Sequence, residues 1–160
     1  MKKILVAYVT KNMNSGINKY LYNVVDNIKK IYKNVEFDFL TSDEDENLKK
    51  HIENIGGKLY KISSLKNPIK RYNEIKEIIK KNNYDIIYIN ISESFNISTA
   101  LAAKKEKVQR VVIHSHASGP SGKNNVIRFV RTLLNFLFKK IISSCGTVFL
   151  GCSKNAGVWM

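Results

Sequence analysis

Six times along this chain a short run of β-branched and aromatic residues gives way to a stretch whose apolar residues recur at helical spacing. The strand-sized runs are 3–10, 35–40, 58–62, 85–91, 110–116 and 147–153. Runs this apolar, separated by helix-length segments, fit strands buried on both faces of a sheet and joined by crossovers. Crossovers of that kind are right-handed and keep successive strands parallel. The pattern therefore predicts an α/β fold: a Rossmann-like three-layer αβα sandwich with a mostly parallel sheet of about six strands. With 160 residues the chain amounts to one domain, 1–160, long enough to bury a full core.

The connecting segments carry their own signals. After the first strand a polar loop, Lys11-Asn12-Met13-Asn14-Ser15-Gly16, leads into a helix with Ile17, Leu21, Val24, Ile28 and Ile31 on one stripe. Val35 to Leu40 alternates, which places that strand near the sheet's edge with one wetter face. Ser42 followed by Asp45 resembles a capping box, and the acids from Asp43 to Glu46 suit a helix N-terminus. Leu48, Ile52 and Ile55 line the helix that follows, His51 is expected on its solvated side, and Gly56-Gly57 ends it. Asn67 before Pro68 marks the next helix start, with Ile69, Tyr72, Ile75 and Ile79 as its buried stripe and Asn82-Asn83 as its close. Ala100, Ala102 and Ala103 give the fourth helix a surface small enough for close packing on the sheet.

Composition limits the class of partner. The net charge of +14 and a pI near 9.8 point to anionic partners, although a chain so rich in Lys, Asn, Ile and Tyr also matches AT-rich codon usage. Nucleic acid is not expected, because no recognition helix or aromatic stacking signature accompanies the basic residues. Cys145 and Cys152 are too far apart for a CxxC site, so no metal is expected, and both read as reduced thiols of a cytoplasmic protein. Met1-Lys2-Lys3 and the apolar run after it imitate a signal peptide, but the run is short and lacks a cleavage site; it reads as the first buried strand. No apolar stretch is long enough to span a bilayer. The helix expected over 125–143 is the most apolar in the chain, with Arg128, Arg131, Thr132, Asn135 and Lys139 on its polar line. Core packing, against the sheet on one side and a domain absent from this chain on the other, is the favoured use of that stripe, and an anionic membrane interface, with the protein peripheral on the inner face of the plasma membrane, is the other.

Candidate site residues gather where strands end. Arg110-Val111-Val112-Ile113-His114-Ser115-His116-Ala117-Ser118 turns from apolar to polar, and holds two of the three histidines. Period-two alternation sends His114 and His116 to one face, at the carboxyl rim where open α/β sheets bind ligands. Asn90, Ser92 and Glu93 form the tip of the strand ending at Ile91. Asn14, Ser15 and Gly16 sit in the first strand-to-helix loop, where free backbone N–H groups suit a phosphate or polar sugar; a plain tight turn explains the glycine equally well. Beyond His116, Ser118-Gly119-Pro120-Ser121-Gly122 breaks regular structure and could serve as a lid.

Four segments taken together resemble the N-terminal half of a family 4, GT-B type glycosyltransferase of bacterial capsule or exopolysaccharide synthesis. They are Ser15-Gly16-Ile17, Tyr84-Asp85-Ile86-Ile87-Tyr88-Ile89, Arg110-Val111-Val112-Ile113-His114-Ser115-His116, and Gly151-Cys152-Ser153-Lys154-Asn155-Ala156-Gly157-Val158-Trp159-Met160. The resemblance implies an acceptor-binding domain whose donor-binding partner domain is absent from this chain; the helix that begins at Lys154 with no room to finish agrees with that. It implies transfer of a hexosyl group from a nucleotide sugar to a glycan or lipid-linked acceptor with retention, no cofactor beyond the nucleotide-sugar co-substrate, and no metal. His116 takes the catalytic position, hydrogen-bonding the donor sugar or its phosphate. Asn14, Ser15, Gly16, Asn18, Asn90, Ser92, Glu93, His114, Ser115 and Ser118 fall at substrate-binding positions. Two departures stand out: Ser15-Gly16-Ile17-Asn18 has one glycine and no acid where the family has a glycine pair and a glutamate, and Tyr88-Ile89-Asn90 replaces a histidine-x-histidine tip. The residues alone leave a second possibility, a stand-alone flavodoxin-like module for a nucleotide or sugar phosphate.

Overall fold

The computed structural model describes residues 1–159. Its elements run β1 (Lys2–Ala7), α1 (Gly16–Ile31), β2 (Val35–Thr41), α2 (Glu46–Asn54), β3 (Leu59–Lys61), α3 (Pro68–Asn82), β4 (Ile86–Ile91), α4 (Ser98–Lys105), β5 (Arg110–Ser115), α5 (Asn125–Ser143), β6 (Val148–Gly151) and α6 (Lys154–Trp159). One six-stranded sheet has the order β3-β2-β1-β4-β5-β6. Every neighbouring pair is parallel. The α/β Rossmann-like expectation is met, and the strand order reverses between β1 and β4, which makes that junction the topological switch point.

Alternation along the strands sorts the core into two layers. Val6, Phe37 and Phe39 pack against Leu21 and Val25 of α1 and Leu48 and Ile52 of α2. On the opposite face Leu5, Ala7, Ile87, Ile89, Val111 and Ile113 meet Ile75 and Ile79 of α3, the small residues of α4, and Ile142 at the end of α5. Ala100, Ala102 and Ala103 are fully buried, as their size implied. The two helices of the first face belong to β1, β2 and β3, so α1 and α2 cover one half of that face. The edge strand β6 is exposed along its length, Phe149 at 51%.

Several local expectations are corrected. Asp45, not Ser42, caps α2, accepting from the Leu48 N–H at 2.8 Å. His51 is half-buried, its ring 4.3 Å from that of Tyr22, because α2 turns this edge toward α1. Gly56, at φ +71°, does close α2 in the left-handed conformation that favours glycine. Asn67 occupies the cap position of α3 without a side-chain cap bond, and Ile69 is 77% exposed. The α3 stripe takes in Arg71 instead, whose guanidinium lies 4.2 Å over the Tyr8 ring and donates to the Ser63 carbonyl at 2.6 Å.

The largest correction concerns α5. It starts and ends where the periodicity places it, yet of its residues only Asn135 and Ile142 are buried. Val126, Phe129, Leu133, Phe136 and Leu137 point to solvent. Part of the polar line faces the protein, while Arg128 and Thr132 stay exposed: Asn135 accepts from the Ser94 N–H at 2.5 Å and donates to the Trp159 carbonyl at 2.9 Å, and Lys139 donates to the Val158 carbonyl at 2.8 Å. Packing of the apolar stripe against the sheet is therefore not what this chain does. No helix among the described residues is long and apolar enough to cross a membrane.

Candidate functional site

Register and alternation assemble the centre of the site. Asn90 of β4 lies directly beside His114 of β5, and Tyr88 stands one step back on the same face. His116 follows β5 by one residue but continues the ladder, its N–H donating to the Ile91 carbonyl at 3.0 Å. The two imidazoles thus leave on one face, ring centroids 4.2 Å apart. From α1, whose first turn reaches over the rim, Tyr20 sets its ring 5.3 Å from His114 and 6.1 Å from His116.

Hydrogen bonds fix the protonation pattern. Asn90 donates its amide to the Ala7 carbonyl at 3.3 Å, which turns its Oδ1 to His116 Nε2 at 2.8 Å. An amide oxygen only accepts, so His116 carries its proton on Nε2 and keeps the Nδ1 lone pair. That Nδ1 has no hydrogen-bond partner among the described residues and is not sealed from solvent. His114 Nδ1 bonds the Tyr88 hydroxyl at 2.6 Å, and Tyr20 extends the chain of hydroxyls at 3.4 Å. Burial pushes the His116 pKa down to about 4, helped by the neighbouring His114. Burial also lowers His114, and burial together with the Tyr20 contact raises the Tyr88 hydroxyl. At neutral pH the pair is therefore uncharged, a cluster of polar but neutral groups at the switch-point rim.

The other sequence candidates separate by what their side chains already hold. Ser15 caps α1, its Oγ accepting from the Asn18 N–H at 3.2 Å. Asn18 is fully buried and braces the loop, donating to the carbonyls of Thr10 at 2.7 Å and Asn12 at 3.0 Å; it shapes the loop and does not face a ligand. Asn14 is exposed beside it, and a Cβ at Gly16 would meet nothing within 4 Å, so the start of α1 is open. Ser115 is buried with its hydroxyl turned to the Ala117 carbonyl at 3.4 Å.

Glu93 is held by Arg131 at 3.1 Å and by Ser121 at 3.1 Å, which joins the β4 tip, the loop after β5 and α5. Exposed Ser92 offers its carbonyl to Trp159 Nε1 at 3.0 Å. Ser118 lines a cleft of about 340 Å³ with Asn135, Phe136, Lys139 and Trp159. Of the candidates, Asn90, His114 and His116 are brought into mutual contact. Among the described residues no three His, Cys, Asp or Glu side chains gather as a metal site. Sequence reasoning passed over Tyr20 and met Tyr88 only as a departure from the family's strand tip; its place in the site was within reach, since it precedes Asn90 by two on the face that pairs with His114.

Residues 13–143 match the model of a family described as glycosyl transferase 4-like. Among solved structures, the chain is similar to MurG from Acinetobacter baumannii, at 11% identity over 98% of this chain and 42% of that one, with a TM-score of 0.61. It is similar to a putative UDP-N-acetylglucosamine 2-epimerase from Listeria monocytogenes, at 14% identity over 98% and 41%, TM-score 0.60. A further UDP-N-acetylglucosamine 2-epimerase matches at 13% identity over 97% and 43%, TM-score 0.62. At these identities the likeness is one of fold, and the chain spans 41–43% of the length of those structures. No curated protein matches the sequence.

Proposed function

This chain belongs to the glycosyl transferase 4-like family, and from that we propose that it is the N-terminal, acceptor-side domain of a glycosyltransferase whose donor-binding domain is a separate stretch of polypeptide. The reaction moves a hexosyl group, with retention, from a nucleotide sugar to a glycan or lipid-linked acceptor of capsular or exopolysaccharide synthesis. The sugar's bond to the diphosphate breaks, a bond to the acceptor oxygen forms, and the departing nucleoside diphosphate takes up the acceptor hydroxyl's proton. The nucleotide sugar is a co-substrate; no other cofactor and no metal is assigned, and the setting is cytoplasmic. What carries the reading is the neutral His114–His116 pair, 4.2 Å apart at the carboxyl rim beside the switch point.

His116 is the residue proposed to touch the donor. With Nε2–H committed to Asn90, its open Nδ1 accepts a hydrogen bond from a sugar hydroxyl without rearrangement. A phosphate oxygen needs an N–H, so it is met only if Asn90 releases Nε2 or the ring takes up a proton, which an adjacent anion favours. His114, tied to Tyr88 and flanked by Tyr20, positions its neighbour. Asn14 and Gly16, at the open start of α1, line the approach from the other side of the rim.

The test is turnover in the full-length enzyme that contains this domain. His116→Ala is expected to lower kcat about 100-fold, the lower end of what positioned polar groups supply, with circular dichroism unchanged. Turnover within twofold of the parent would remove His116 from the mechanism.

A further inference from the structure

We infer that Arg71 anchors a second ligand site, one for an oxyanion, at the carboxyl rim on the side of α3 and α4. What carries it is a buried cation without a counter-charge. Arg71 is 2% exposed, and no carboxylate among the described residues pairs with it. Glu74, one turn along α3, is committed to the Ser63 N–H at 2.6 Å and the Ser63 hydroxyl at 3.0 Å. Of the three guanidinium nitrogens, Nη1 donates to the Ser63 carbonyl at 2.6 Å. Nε is sealed from solvent with no partner, and Nη2 has none among the described residues but is not sealed. A buried charged donor left in this state destabilises the fold until something completes it.

The unused nitrogens say what completes it. Nε and Nη2 form the side-on fork of a guanidinium, whose spacing takes two oxygens of a carboxylate or of a phosphate. The Tyr8 ring, its centroid 4.2 Å from Arg71 Cζ, covers one face of the cation and leaves the in-plane edge to bond. Tyr8 is itself held through its hydroxyl to that of Thr99. Ser63 follows β3, Tyr8 follows β1 and Thr99 lies in the first turn of α4, so the fork sits where strands end and helices begin. Neither α3 nor α4 starts on a side-chain cap, and the positive ends of both add to the guanidinium charge. Tyr8 packs in the layer of α3 and α4, whereas Tyr88, which holds His114, packs in that of α1 and α2. The oxyanion site and the histidines therefore flank the rim from its two sides. A ligand reaching both is an acceptor that carries a phosphate or a carboxylate; that assignment rests on the proposed transfer reaction, and the oxyanion site does not.

The experiment is an NMR titration of the 160-residue chain with inorganic phosphate, with acetate, and with chloride at matched ionic strength. It follows the Nε–H signals of the four arginines, that of Arg71 being the one lost in Arg71→Lys. The Arg71 signal is expected to shift saturably with phosphate, acetate or both and not with chloride, and the tighter of the two tells a phosphate-bearing ligand from a carboxylate-bearing one. Arg71→Lys keeps the charge and loses the fork, so saturating the backbone N–H shifts of Ser63 and Thr99 should take at least tenfold more anion. Arg71→Met, which replaces an unpaired cation by an apolar chain of similar length, should fold with a urea midpoint no lower than the parent's and lose the response altogether. Lys70→Gln, at an exposed charge beside Arg71, should change the response less than twofold. An Arg71 Nε–H unmoved by either anion, or equal weakening in Lys70→Gln, would overturn the inference. Turnover of His116→Ala reports on the transfer reaction separately, so the two readings fail independently.

Discussion

Helices α1 and α5 are written in the same code and used in opposite senses. Each is amphipathic, and each begins on a side-chain cap, Ser15 accepting from Asn18 and Asn124 from Ile127. In α1 the apolar stripe turns inward, with Leu21 and Val25 sealed against β1 and β2. In α5 it is the polar Arg131, Asn135 and Lys139 that turn inward, and the apolar stripe looks out. Periodicity therefore identifies a stripe but not the medium it meets. That is decided by what lies beneath the helix: for α1 a run of valine and phenylalanine, for α5 the loop after β4 and the end of α6, whose polar backbone groups need partners.

The contrast is broken most sharply by stability measurements on matched truncations. Leu21→Ala, at a position 1% exposed, is expected to cost about 3 kcal/mol in urea denaturation. Phe136→Ala, removing a larger side chain at 73% exposure, should stay within about 0.5 kcal/mol. Comparable losses at the two positions would mean that α5 packs its apolar face after all. A smaller effect sharpens the other side of the contrast. Asn135→Ala deletes a buried hydrogen bond to the Ser94 N–H and a partly buried one to the Trp159 carbonyl, and should cost about 1–2 kcal/mol in the same assay. On a conventional surface helix the alanine change at a polar position would cost almost nothing.

The same contrast explains how far the chain could be read. The sheet was legible because strands such as Ile86–Ile91 and Arg110–Ser115 combine β-branched runs with clean boundaries, and parallel pairing follows from helix-length connections. The convergence of Asn90, His114 and His116 was half legible. Alternation puts the histidines together, but the bond from Asn90 to His116 needs the β4–β5 register, which no single strand contains. Asn18 misled because an exposed-looking polar residue in a first helical turn can be spent on loop backbone, as here on Thr10 and Asn12. Tyr20 could not be seen, since the reach of α1 over the rim is set by packing on the sheet. Arg71 escaped for a similar reason: a cation is read as exposed until an aromatic face and a carbonyl are found beneath it.

The smallest effect sets the α1 side of the rim, which carries the histidines, against the α5 side, which carries none. His116 has a pKa near 4 in the fold against an ordinary 6.5, lowered first by burial and then by His114, which is itself lowered by burial. Tyr20 of α1, Tyr88 and Asn90 of β4 face the pair, and none brings a carboxylate that would restore the charge. Above pH 6.5 folded and unfolded chains both hold the rings neutral. Between 6.5 and 4 the unfolded chain binds protons that the folded chain refuses, so acid favours unfolding, and stability falls as pH drops through that window. Asp85 does not interfere: its bonds to Lys2 and the Lys3 N–H lower its pKa, so its contribution is lost only at more acid pH. Urea melts at pH 7.5 and 5.0 should therefore show a drop that His114→Asn with His116→Asn largely flattens, while Phe136→Ala on α5 leaves it in place. An unchanged drop in the histidine variant would mean that the pair is hydrated, and that the rim beside α1 is as open to water as the outer face of α5.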